Sequence, residues 1–147
     1  MRVEFLKKLF RSYQVRIAYL FGSQREAGAA FIAGEEKEIE KGADLDIGVV
    51  FERLPEKPFL VYGELYADLS LFFEPFKIDL VLLQETDALF QYEAIKGQLI
   101  YSEDERFLDD YEEMVMKQAA DLSFKKIQFE KDFLEALRDG YFEIEHR

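Results

Sequence analysis

The sequence contains no cysteine. That excludes a disulfide framework and every thiolate metal site, so a bound metal must be held by oxygen or by the single histidine, His146. Oxygen donors suit the hard cations Mg²⁺ and Mn²⁺. No apolar run approaches the roughly 18 residues of a membrane-spanning helix. An acid also follows closely on the amino terminus in Met1-Arg2-Val3-Glu4, which argues against a secretory signal. The expectation is a soluble, cytoplasmic protein. Positive charge is scarce as well: 19 Lys and Arg stand against 31 Asp and Glu, a formal charge of −12, and the basic residues are dispersed. Such a surface repels phosphate backbones, so stable nucleic-acid binding is not expected, whereas a protein partner is compatible with it.

What is abundant is aromatic and aliphatic material. Fifteen Phe and eight Tyr within 49% hydrophobic content give 147 residues enough to build the core of one compact domain, 1–147. Along the chain, Phe5, Leu6, Leu9, Phe10 and Tyr13 recur at three- and four-residue spacing and predict an opening amphipathic helix over 3–13. The apolar run RIAYLF (16–21) ends at Gly22-Ser23, as a buried strand entering a tight turn does. From Gln24 to Ala43 the chain is rich in Gly, Ala and Glu, offers no apolar face, and reads as a long loop with at most a helical turn. Its Lys and Glu at 35–41 read as a solvated surface.

DLDIGVVF (44–51) alternates cleanly, predicting a strand with Asp44 and Asp46 on one face. Pro55 and Pro58 mark a linker, and Val61, Leu65, Leu69 and Phe72 predict a helix that ends at Glu74-Pro75. KIDLVLL (77–83) is a further strand carrying Asp79. Thr86 and Asp87 offer a cap for a helix over 88–96, which Gly97 closes. After the short apolar segment 99–101, Leu108, Tyr111, Val115, Ala119 and Leu122 form one helical stripe, and Ile127, Leu134, Leu137 and Tyr141 another. The offset between the stripes predicts a break near 121–123, and the aromatics of these helices read as core sooner than as partner surface. The fold class is α/β (α+β): a small mixed sheet flanked by helices over 1–102, with C-terminal helices over 103–147 that pack on it or on a partner.

A lone Gly-Ser is usually a turn, and a lone Asp-x-Asp a solvated loop. The order of the pieces carries more. Carboxylates at i and i+2 on a strand sit with their Cβ atoms roughly 7 Å apart, close enough to share divalent ions, and burying such charges without a cation is costly. An Asp inside so apolar a strand as 77–83 needs a reason. If Asp79 lies on the neighbouring strand, three carboxylates converge beside Gly22-Ser23. That is the requirement of metal-assisted phosphoryl or nucleotidyl transfer, with Asp79 placed to accept a proton from the attacking hydroxyl. Gly22 and Ser23, at a turn before a helix N-terminus, can hold phosphate oxygens.

The segments YLFGSQ (19–24), DLDIGVVF (44–51) and KIDLVLL (77–83) resemble the motifs of the minimal nucleotidyltransferases (MNT) of the DNA polymerase β-like superfamily. They are most similar to MntA-type antitoxins of HEPN–MNT toxin–antitoxin pairs. EAIKGQLIYSEDE (93–105) and DLSFKKIQFEKDFLEALRDGYF (121–142) extend the resemblance over nearly the whole chain. It implies the nucleotidyltransferase fold, transfer of AMP from ATP with Mg²⁺ onto a tyrosine hydroxyl of a cognate HEPN ribonuclease, and a hetero-oligomer of the two proteins. It also implies that Gly22 and Ser23 hold the triphosphate, that Asp44, Asp46 and Asp79 are the catalytic and metal residues, and that Asp79 deprotonates the tyrosine. The stretch from Gln24 to Ala43 is about twice the family's roughly ten residues, with Gly28 available as its second glycine and Arg25 of uncertain use. Two other readings follow from the same residues: a catalytically weakened MNT-fold module that neutralises its partner by binding, and a small-molecule nucleotidyltransferase. His146 reads as idle beside the terminus.

Overall fold

A computed structural model describes residues 1–35, 38–40 and 42–140. His146, Tyr141 and part of the Lys/Glu run at 35–41 lie outside the described residues. The order of elements is α1 (Arg2–Ser12), β1 (Val15–Phe21), α2 (Arg25–Ile32), β2 (Leu45–Phe51), α3 (Pro58–Phe72), β3 (Ile78–Leu82), α4 (Ala88–Ile95), β4 (Gln98–Ser102) and α5 (Glu105–Arg138), with a short 3₁₀ turn at Leu83–Glu85. None of the described helices is long and apolar enough to cross a membrane.

The four strands form one mixed sheet in the order β3-β2-β1-β4. β1 pairs antiparallel with β2 and β4, and β2 pairs parallel with β3, a connection that requires the crossover helix α3. Alternation divides the sheet into two faces. Leu45, Ile47, Val49 and Phe51 of β2 pack with Leu6 and Phe10 of α1 and Leu65 and Leu69 of α3. On the other side Ile17, Tyr19 and Val50 pack with Ala94 of α4 and Tyr111 and Val115 of α5. Asp46 and Asp79 alternate with the first set, which turns them toward the face that carries α4 and α5.

Several expectations shift. Within the expected loop 24–43, residues 25–32 form a full helix, α2, whose buried face is made of Ala27 and Gly28. These side chains are too small to register as an apolar stripe, yet they let the helix sit close: a Cβ on Gly28 would lie 2.7 Å from Leu45 Cδ1. Pro58 belongs to α3, at its first turn, where a missing N–H costs nothing. Asp87 caps α4 as its sequence suggests, accepting from Phe90 N at 2.8 Å.

The break expected near 121–123 is absent. α5 runs unbroken to Arg138, because nothing in Asp121-Leu122-Ser123 removes a backbone donor or strains helical φ. Its first half buries Tyr111, Val115 and Ala119. Its second half leaves the domain, with Phe124 67% and Phe129 69% exposed, so these aromatics are surface and not core.

Candidate active site

The site lies where β1 ends and β2 and β3 begin. β1 runs into Gly22 at φ +78°, a left-handed conformation that glycine adopts without a side-chain clash. Phe21 stands opposite Asp46 in the β1–β2 register. The Asp46 carboxylate occupies the space a Gly22 side chain would fill: a Cβ there would fall 2.2 Å from Asp46 Oδ2. On the other side, Asp46 is in register with Asp79 on parallel β3, so the two carboxylates stand abreast on one face. Asp46 is half-buried and Asp79 exposed.

Asp44 is half-buried but precedes β2, which starts at Leu45. The strand entry is fixed by Leu45 N donating to Lys77 O at 2.8 Å. Asp44 is therefore held by the turn before the strand and not by strand alternation. Desolvation raises the Asp46 pKa above the ordinary carboxylate range, and the charges of Asp79 and then Asp44 push it further. These carboxylates act on one another and make the corner strongly negative.

Ser23 is exposed just past Gly22, two residues before α2 begins, and the first N–H of that helix, on Arg25, donates to Gly22 O at 3.5 Å. Arg25 folds back, its Nη1 donating to Gly22 O at 3.2 Å, which keeps a positive charge beside the turn. Two residues that sequence reasoning passed over also belong to this neighbourhood. Gln24 is buried beneath the turn. Tyr62 of α3 has its phenol pKa raised by burial and then by the charge of Asp79, but its ring falls within the apolar pattern of α3, which hid it.

Among the described residues, no three carboxylates are drawn together closely enough to bind one ion. The abreast pair Asp46 and Asp79 nevertheless fits a hard divalent cation. Mg²⁺ is commonly held by one or two carboxylates, with substrate phosphates and water completing its shell, and a cation would relieve the repulsion that raises the Asp46 pKa.

With this geometry in view, the sequence profile of the polymerase beta nucleotidyltransferase family matches residues 4–106, which span the sheet and the Gly22, Asp46 and Asp79 corner. The chain belongs to that family, and by class it is a nucleotidyltransferase. Its fold is shared by minimal nucleotidyltransferase antitoxins. A mutant MntA–HepT toxin–antitoxin superimposes with a TM-score of 0.65 at 14% identity, over 91% of this chain and 99% of that one. A toxin–antitoxin solved with AMP-PNP gives 0.65 at 16% identity, over 91% and 99%. An MNT antitoxin in complex with tri-AMPylated HEPN toxin from Shewanella oneidensis gives 0.58 at 14% identity, over 90% and 96%. No curated protein matches the sequence.

Proposed function

We propose that this nucleotidyltransferase transfers AMP from ATP onto a tyrosine hydroxyl of a HEPN-domain ribonuclease toxin and thereby acts as its antitoxin. The observation that carries the reading is the Asp46–Asp79 pair, in register beside a Gly22 whose missing side chain lets the turn close on the carboxylate. The solved proteins of the same fold support it: one was captured with AMP-PNP and another with an AMPylated HEPN toxin.

In this reading Gly22 and Ser23 cradle the triphosphate with backbone N–H groups and the serine hydroxyl. Asp44, Asp46 and Asp79 are the catalytic and metal-holding residues. Bound Mg²⁺ supplies charge neutralisation for the triphosphate and the leaving pyrophosphate. Asp79, the most open of the three, accepts the phenolic proton. The phenol oxygen bonds to the α-phosphorus as the bond to the β-phosphate bridge breaks, and pyrophosphate leaves with the electron pair. Residues 1–147 work as one domain, with 1–102 carrying the chemistry and the helical region 103–147 packing on it or on the partner, in a cytoplasmic hetero-oligomer that binds no nucleic acid of its own.

The test is incubation of the purified chain with ATP, Mg²⁺ and the co-encoded HEPN protein, followed by intact mass measurement. AMP-sized increments that vanish with Asp44→Ala plus Asp46→Ala support the proposal. No increments with wild type, or unchanged increments with the double variant, overturn it. A second reading, neutralisation by binding alone, draws on the exposed apolar half of α5; there the double variant would still silence the toxin.

A further inference from the structure

Gln24 follows the Gly22-Ser23 turn directly, and it is one of two buried polar side chains among the described residues, 3% exposed. An amide buried this deeply is costly unless it is hydrogen-bonded. Its Nε2 donates to the backbone carbonyl of Glu40 at 3.1 Å. The same carbonyl accepts from Ala43 N at 3.4 Å, closing the turn through Gly42 at φ +83° that leads straight into Asp44. The far side of that connection is anchored where Leu45 N meets Lys77 O.

Farther out, an open space of about 560 Å³ is lined by Arg2, Phe31, Glu35, Glu38 and Phe76 among others. Among the described residues of this stretch, Ile39 packs partly against the core. One buried amide therefore links the residue after Ser23 to the turn that presents Asp44.

We propose that Gln24 is a positioning residue: it braces the turn before Asp44 against the Gly22-Ser23 turn and so fixes the spacing between the carboxylate and the triphosphate cradle. The inference rests on the nucleotidyl-transfer reading above. It also accounts for how a connection of this length still delivers Asp44 to one place.

The variant Gln24→Met keeps the length of the side chain and removes the donor. Its concentration of Mg²⁺ for half-maximal AMP transfer should rise about tenfold or more, as losses of outer-shell partners do, with a smaller change in kcat at saturating Mg²⁺. Independently of activity, hydrogen exchange at the amides of Ala43 and Leu45 should quicken in the metal-free protein. Gln24→His, whose Nε2 can reach the same carbonyl, should restore both readouts toward wild type and covers the case in which the Met variant folds poorly. Wild-type Mg²⁺ dependence and wild-type exchange in a folded Gln24→Met would overturn the brace, as would equal losses in the Met and His variants. If wild type itself transfers no AMP, the functional reading fails, while the exchange measurement still decides the role of Gln24.

Discussion

Gly22 and Asp46 meet across a gap that has room for no side chain at all: a Cβ on the glycine would fall 2.2 Å from the carboxylate oxygen. This contact ties the end of β1 to the start of β2 and sets the Gly22 turn against the acid pair. Because Gly22 also has positive φ, two independent constraints act on one position.

Gly22→Ala should therefore displace the Asp46 carboxylate and strain the turn, costing about 1–3 kcal/mol of stability and AMP transfer by roughly 100-fold or more. Thermal melting and intact-mass kinetics on the partner check it. Transfer at near wild-type rate would show that the contact does not matter to the chemistry.

The raised Asp46 pKa makes a prediction of opposite sign for stability. A carboxyl whose folded pKa lies above its unfolded one binds its proton more tightly in the folded state, so stability falls as pH rises through the window between the two values. Asp46→Asn removes the ionised group. Without metal at neutral pH it should melt higher than wild type by roughly 1–3 °C, with the gain fading at acid pH, while transfer is lost. A variant that melts lower at neutral pH would contradict the mutual repulsion of Asp46 and Asp79.

α2 is docked through a glycine. Gly28→Val should push the helix off Leu45 and Leu20, since even a Cβ lies 2.7 and 3.0 Å from their Cδ1 atoms, and should cost about 1–3 kcal/mol by overpacking. Denaturant unfolding measures this. An unchanged midpoint would mean that α2 is not seated on β1 and β2.

The distal half of α5 should contribute nothing to the isolated domain. Phe124→Ser with Phe129→Ser, both at exposed positions, should leave unfolding within about 0.5 kcal/mol of wild type while weakening co-purification with the HEPN partner. A clear loss of stability in the isolated chain would place these rings in its core.

The strands of the site were legible, β2 from the alternation of DLDIGVVF and β1 and β3 from the short apolar runs RIAYLF and KIDLVLL, and Asp46 and Asp79 stand abreast. Asp44 was legible as a residue but not in its mode of support, since the strand begins one residue later. α2 escaped because its seat is Ala27 and Gly28, which add contact by being small. In α5 the offset between two apolar stripes suggested two helices, whereas Glu105–Arg138 is one helix whose buried residues, Tyr111, Val115 and Ala119, all lie in its first half. The Gln24 link to Glu40 joins a side chain to a backbone carbonyl sixteen positions away, and no periodicity records such a contact.

The most direct test of the account separates chemistry from binding in the living cell. The HEPN toxin is expressed with either the wild-type chain or Asp46→Asn, a variant expected to stay folded, and growth is followed alongside the mass of the recovered toxin. The account predicts growth and an AMP-modified toxin with wild type, and arrest with an unmodified toxin with Asp46→Asn. Full protection by Asp46→Asn, with the toxin unmodified, would contradict it.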